Sequence, residues 1–327
     1  MGTGSGFGKV ILFNEHFVVY GIPSIASAID SRTEAVVERV KDPALLVASG
    51  KEGSMAADGW VLEDDRPANP GYKKEKYQQQ KESVLLVFRA AGFDPTKNNI
   101  SITLGGNLKA VGGVGASAAV CVSLARALDD EFKLGFDDAR INKIAYEGEK
   151  AYAGTPSGID NTASTYGGLL RFEKSLSGGE NRIELLKVEK PIRIVMGNTG
   201  ITADTKAAVA GVKERKEKEP GKYDRIFRES TTLVGKADAA LRKYDLEVLG
   251  RLMDRNHRLL QEIGVSHPRL DELVELARRN GAYGAKLTGG GLGGYMVALT
   301  PEEQLQEKVA RAMETKGYEA LRTTIGI

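Results

Sequence analysis

This sequence has little of several things that would have narrowed its class at once. With a single cysteine, Cys121, no intrachain disulfide can form, and the usage fits a reducing compartment. No apolar run approaches the length of a membrane span, so no membrane partner is expected. Charge of either sign is nearly balanced, 46 Lys and Arg against 44 Asp and Glu, and the net +2 leaves no basic footprint for nucleic acid. The start Met1-Gly2-Thr3-Gly4-Ser5-Gly6 lacks the basic and apolar blocks of a signal peptide, and cytoplasmic residence is the expectation.

What is present belongs to a soluble globular protein: 327 residues, 41% hydrophobic and 28% charged. That length suits two ordinary domains, or one two-lobed unit with a cleft between the lobes. The pattern along the chain is mixed α/β. Short strands are expected at Val10–Phe13, Phe17–Val19, Ala35–Val40, Leu45–Ala48, Ile100–Leu104, Arg193–Gly197 and Tyr295–Leu299. The polar stretch Lys51–Glu82, with Pro67 and Pro70, is expected to be a loop leading into a helix over Glu82–Ala91. Helical spacing marks Asp137–Tyr152, Thr205–Glu217, Asp224–Lys243, Leu246–Ile263, Leu270–Arg279 and Glu302–Lys316, and it places Cys121 with Leu124, Ala125 and Leu128 on a buried face. The mixed-charge run Lys213–Lys222 is expected to be a solvated helix end and surface loop. A domain boundary is placed near 190, where Lys190-Pro191 precedes a new strand, giving domains 1–190 and 191–327.

Three separated segments carry chemistry: Gly8–His16, Gly112–Ala119 and Lys286–Gly294. In the middle one, Gly112-Gly113-Val114-Gly115-Ala116-Ser117 runs straight into a helix start. Such a turn gathers free backbone N–H groups at the positive end of a helix dipole, which is a phosphate-binding geometry. The Ser117 hydroxyl stands where it could reach a phosphate-bound Mg²⁺. By itself the turn fits a surface loop or a helix cap equally well. On the next helix, Ile141, Ala145, Glu149 and Tyr152 share one face, so Glu149 falls on a stripe that should be buried. A carboxylate there is paired with a lysine or bound to a metal.

Taken in order, Lys9-Val-Ile-Leu-Phe-Asn-Glu-His-Phe-Val-Val-Tyr-Gly21, the Gly113–Ala119 loop, the run Glu147–Asn161 with Pro156-Ser157-Gly158-Ile159-Asp160-Asn161, and Lys286-Leu287-Thr288-Gly289-Gly290-Gly291 resemble the GHMP small-molecule kinases, most closely the branch that phosphorylates mevalonate. The resemblance implies an N-terminal lobe like domain 2 of ribosomal protein S5, a C-terminal α/β lobe, and an interlobe active-site cleft. It implies that the loop Gly112, Gly113, Val114, Gly115, Ala116, Ser117 holds the phosphates of ATP, and that Ser117 and Glu149 are Mg²⁺ ligands. Asp160 matches the family's catalytic aspartate and Lys9 the lysine beside it, while Glu15 and His16 match residues that line the acceptor pocket. The expected reaction is transfer of the ATP γ-phosphoryl group to the 5-hydroxyl of mevalonate in isoprenoid synthesis, with a homodimer left open.

The departures from the family pattern are few. Asn14 stands where relatives carry Gly; on the reading that it only supplies left-handed backbone, Asn14→Gly would change almost nothing. Lys109 replaces a proline, Ala116 a serine, and Leu292 interrupts the glycine run of the third segment. Two other readings use the same residues: another GHMP kinase acting on phosphomevalonate, homoserine or a sugar, and a non-catalytic nucleotide sensor or RNA binder. Glu15-His16 followed by Val18-Val19-Tyr20-Gly21 argues against the former, and intact Lys9, Ser117, Glu149 and Asp160 against a dead enzyme. His257 has no motif around it and is assigned to helix structure.

Overall fold

The glycine-rich start of the chain is a strand rather than a tail. Strand β1 (Gly2–Phe13) alternates Gly2, Gly4 and Gly6 along one face, which period-2 geometry turns to a single side. A β-carbon on Gly4 or Gly6 would lie 2.2 or 2.4 Å from the main-chain oxygens of Ser123 and Ala119. The strand therefore lies directly on a helix backbone, at a distance that only missing side chains permit.

The computed structural model describes residues 1–202 and 205–327, and contacts divide the chain into two units. One holds Met1–Gly8 and Ser31–Gly167, the other Lys9–Asp30 and Gly168–Ile327. Both β1 and the long strand β2 (Ser24–Arg39) contribute to each. Residues 168–190, grouped with the N-terminal domain when the boundary is read at 190, go with the second unit. Their strands β6 (Leu169–Glu173) and β7 (Arg182–Leu186) explain this: β6 pairs with the first half of β2, Ser24 opposite Phe172, and β7 pairs with β6.

In the first unit the second half of β2 pairs antiparallel with β5 (Ile100–Gly105), which lies parallel to β4 (Trp60–Asp64), with β3 (Met55–Ala57) at the edge. Helices α1 (Tyr72–Glu75), α2 (Tyr77–Ala91), α3 (Ala116–Phe132), α4 (Asp138–Ala153) and α5 (Ile159–Tyr166) complete it. The core joins Trp60, Leu62 and Ile102 of the sheet to Val84, Phe88, Cys121, Leu124 and Ile144 of the helices. Helix α3 is buried nearly all round, so the loop in front of it is fixed by a helix that cannot tilt without opening the core.

In the second unit, β8 (Ile192–Asn198) lies between β10 (Tyr295–Leu299) and β11 (Glu319–Ile325), and β9 (Gly284–Leu287) extends the sheet beyond β10. All these pairings are antiparallel. Helices α6 (Thr205–Lys218), α7 (Pro220–Arg242), α8 (Leu246–Glu262), α9 (Pro268–Arg279) and α10 (Glu303–Thr315) surround it. Where α8 crosses β9 the main chains meet: a β-carbon on Gly250 would lie 2.2 Å from the Tyr283 carbonyl oxygen.

Several sequence expectations are corrected. Phe17–Val19 is not a strand but part of a 3₁₀ turn over Phe17–Tyr20, because Asn14 at φ 71° reverses the chain just before it. Leu45–Ala48 forms no strand; Asp42 caps a turn at Pro43, and Leu45 and Val47 stay exposed. The loop expected over 51–82 contains β3, β4, α1 and the start of α2, since Trp60 and Leu62 are core residues inside polar flanks. The run 213–222 holds no open loop: α7 begins at Pro220 just after α6, and Arg215 turns inward to donate to the Ile263 carbonyl at 2.9 Å.

Candidate active site

In the first unit the loop before α3 has the conformation that its glycines were expected to allow. Gly113 and Gly115 take φ of 97° and 74°, a left-handed backbone closed to most side chains. Gly112 and Gly113 are exposed, Val114 is anchored in the interior, and no side chain caps the helix that starts at Ala116. The first amides of α3 are thus left for a ligand, at the positive end of a buried helix. Ser117, one residue into the helix, is half-buried and lines a pocket together with Arg66, Tyr72, Lys73, Gln80 and Tyr152.

Arg66 was not singled out by the sequence reading. Its guanidinium grips the buried Asp64 carboxylate through Nε at 2.9 Å and Nη2 at 2.7 Å, and Nη1 donates to the Ala116 carbonyl at 3.3 Å. Burial pushes the Asp64 carboxyl up, but hydrogen bonding and charge from Arg66, with Lys73 behind it, more than offset this and hold it below the ordinary carboxylate range. A fixed ion pair therefore braces the first residue of α3.

Glu149 lies on the buried face of α4 as its spacing predicts, 5% exposed. Its charge adds to burial in raising the Cys121 thiol far above the ordinary range, so Cys121 is an inert core residue. Among the described residues no three His, Cys, Asp or Glu side chains are grouped to hold a metal. Asp160 sits in the first turn of α5, half-buried, behind Gly158 at φ 92°. Its neighbour Asn161 ties that turn to α4 by donating to Asn142 Oδ1 at 2.6 Å.

The remaining candidates lie in the second unit. Lys9 is buried in β1 at 4% exposure, and the strand is clamped near it by Thr288, whose hydroxyl accepts from the Ile11 amide at 3.1 Å and donates to the Ile11 carbonyl at 2.9 Å. Asn14 is more than a source of left-handed backbone. Its Nδ2 donates to the Pro23 carbonyl at 2.8 Å, while Oδ1 accepts from Ser230 Oγ at 2.7 Å and from Asn256 Nδ2 at 3.3 Å. Glycine would meet the φ requirement and leave the buried Ser230 and Asn256 without this partner, so the reading of Asn14 as only a source of left-handed backbone is corrected.

Glu15 and His16 follow on this anchored turn. Glu15 pairs with Lys286 of β9; both side chains are essentially inaccessible, and Lys286 Nζ also donates to the Leu287 carbonyl at 2.6 Å. Burial raises the pKa of Glu15 and lowers that of Lys286, and their mutual contact opposes both changes. The second oxygen, Glu15 Oε2, is buried without a hydrogen bond. His16 Nε2 meets the Gly290 carbonyl at 2.9 Å, an oxygen that can only accept, so Nε2 carries the proton. Burial lowers the His16 pKa and keeps the ring neutral, which makes the unbonded Nδ1 an acceptor. Two residues adjacent in the chain thus each carry a buried acceptor atom without a hydrogen bond. Lys286 was quoted in a motif but given no role; a lysine inside the apolar strand Gly284–Leu287 was the available signal.

The third segment holds together through backbone. Leu292 takes φ 58°, and its amide donates to the Val265 carbonyl at 2.8 Å. His257 is structural: Nδ1 accepts from the Leu287 amide at 3.3 Å and Nε2 bonds Asp271 at 3.1 Å, which fixes the end of β9.

A glycine-rich loop opening a buried helix, in a chain of two mixed α/β units, fits a small-molecule kinase. Residues 80–168 match the GHMP kinases N terminal domain and residues 238–319 the GHMP kinases C terminal domain. The chain belongs to the GHMP kinase family. Among individual relatives, it is 37% identical to the mevalonate kinase of Thermococcus onnurineus over 97% of this chain and 94% of that protein. It is 30% identical to the mevalonate kinase of Arabidopsis thaliana over 98% of this chain and 96% of that one. The crystal structure of L. major mevalonate kinase in complex with R-mevalonate superimposes with a TM-score of 0.89 at 34% identity, covering 99% of this chain and 96% of the other.

Proposed function

We propose that this protein transfers the γ-phosphoryl group of ATP to the 5-hydroxyl of mevalonate. The observation that carries the reading is the pair of acceptor atoms at Glu15 and His16, found in a chain whose phosphate loop is intact. Relatives named for the same reaction support it over nearly the whole length.

The roles proposed for the residues follow their chemistry. Backbone N–H groups of 112–117 receive the ATP phosphates at the start of α3. Ser117 and Glu149 supply oxygens for Mg²⁺, which when bound shields phosphate charge. Asp160 orients the 5-hydroxyl and accepts its proton as the bond to phosphorus forms. Lys9 offsets the negative charge that develops on the attacking oxygen. The 3-hydroxyl of the acceptor donates its one proton to Glu15 Oε2 or to neutral His16 Nδ1, which leaves the 5-hydroxyl end oriented for transfer. Cytoplasmic residence remains part of the proposal; no described helix is long and apolar enough to cross a membrane.

The test is a panel of mevalonate, phosphomevalonate, homoserine and galactose with ATP and Mg²⁺, read by ADP release, with phosphorus NMR of the product. Mevalonate 5-phosphate as the preferred product is the expected result. A 3-phosphate, or preference for another acceptor, overturns the assignment.

A further inference from the structure

We infer that Lys286 is a positioning residue for the acceptor, acting through Glu15. The inference rests on the proposed reading of Glu15 as an acceptor-facing residue. A lysine is rarely placed in the middle of a buried strand, and this one is 0% exposed between Ala285 and Leu287. Its ammonium donates to Glu15 and to the carbonyl of Leu287, so it is committed on the protein side. Glu15 is divided differently. One carboxylate oxygen is held by Lys286 and the other is buried with no hydrogen bond.

That division has a chemical consequence. A buried carboxylate with no cation beside it takes up a proton, and a protonated Glu15 could turn its hydroxyl toward whichever neighbour accepts it. Lys286 opposes that uptake, and the oxygen it holds fixes the rotation of the carboxylate, so that Oε2 is the oxygen left without a partner. Lys286 is placed by β9, which His257 and Thr288 fasten at adjacent residues. The Lys-Leu-Thr segment thereby links the sheet of the second unit to the charge state of a residue on the turn after β1.

The experiment compares Glu15→Gln, Lys286→Met and the double variant for R-mevalonate KM, ATP KM, kcat and urea midpoint. Glu15→Gln is expected to raise the mevalonate KM at least about tenfold, the scale of one lost charge-assisted hydrogen bond, with ATP KM within about twofold. Lys286→Met is expected to raise the mevalonate KM similarly and to lower the urea midpoint, because it strands a buried carboxylate. The double variant recovers stability, since neither charge remains, yet keeps the mevalonate KM of Glu15→Gln within about twofold. That last comparison decides the matter even if Lys286→Met alone does not fold. A double variant whose mevalonate KM rises well beyond that of Glu15→Gln overturns the inference, and so does a folded Lys286→Met with the parent KM. An unchanged mevalonate KM in Glu15→Gln overturns the reading of Glu15 as well.

Discussion

At the scale of single residues, the same side chain often satisfies a local requirement and a distant one. Asn14 meets the left-handed φ of its turn, which any sequence reader can suspect, and also saturates a buried knot with Pro23, Ser230 and Asn256. Asn14→Gly is therefore expected to cost about 2 kcal/mol or more in urea unfolding, because the fully buried Ser230 and Asn256 lose a partner. A change below about 0.5 kcal/mol would show that the knot contributes nothing. Asp160 gives the complementary case, a residue whose proposed value is chemical rather than structural. Asp160→Asn should bind ATP nearly as the parent does and lose turnover by about 10²- to 10⁴-fold, the scale of a lost proton acceptor; activity within a few-fold of the parent removes it from the proposed mechanism.

Between elements, glycines decide how closely backbones approach. The pattern Gly2-x-Gly4-x-Gly6 was visible in the sequence, but its meaning required knowing that α3 lies across that face. The same holds for Gly250, mid-helix in α8, which no helix propensity would favour. Gly250→Ala is expected to destabilise by about 1–3 kcal/mol despite the better helix former, because the new methyl meets the Tyr283 carbonyl and forces α8 off β9. Since β9 carries Lys286, the variant should also raise the mevalonate KM; a stabilised protein with unchanged kinetics would contradict the close packing. Elements with strong periodicity, such as α4, α8 and α10, were legible from sequence spacing alone. Short strands inside polar flanks, β3 and β4 above all, were not, because their burial depends on partners far along the chain.

For the whole molecule, buried neutral histidines tie stability to pH. Burial lowers the His257 pKa from the ordinary 6.5 to about 4, and His16 is lowered in the same direction. The unfolded chain then binds more protons than the folded one below pH 6.5, so this stability is complete above that pH and is lost as pH falls toward 4. The loss attributable to His257 is at most about 3 kcal/mol. Urea unfolding followed by circular dichroism at pH 7 and 4.5 should show it, and His257→Gln should flatten that acid limb; equal slopes in the two proteins would exclude His257 as its source. The sequence alone determined the α/β class, the family resemblance, the glycine-rich turn before α3 and the buried position of Glu149, because each depends on short-range spacing or on residue types with few alternative uses. Only the tertiary structure decided that Lys286 meets Glu15, that Arg66 braces the start of α3, that Asn14 is saturated, and that residues 9–30 group with 168–327. The contacts of Lys286 with Glu15 and of Asn14 with Ser230 join residues more than two hundred positions apart, and Arg66 reaches Ala116 across 50. Partners at such separations are chosen by how sheets and helices stack, which no local pattern encodes.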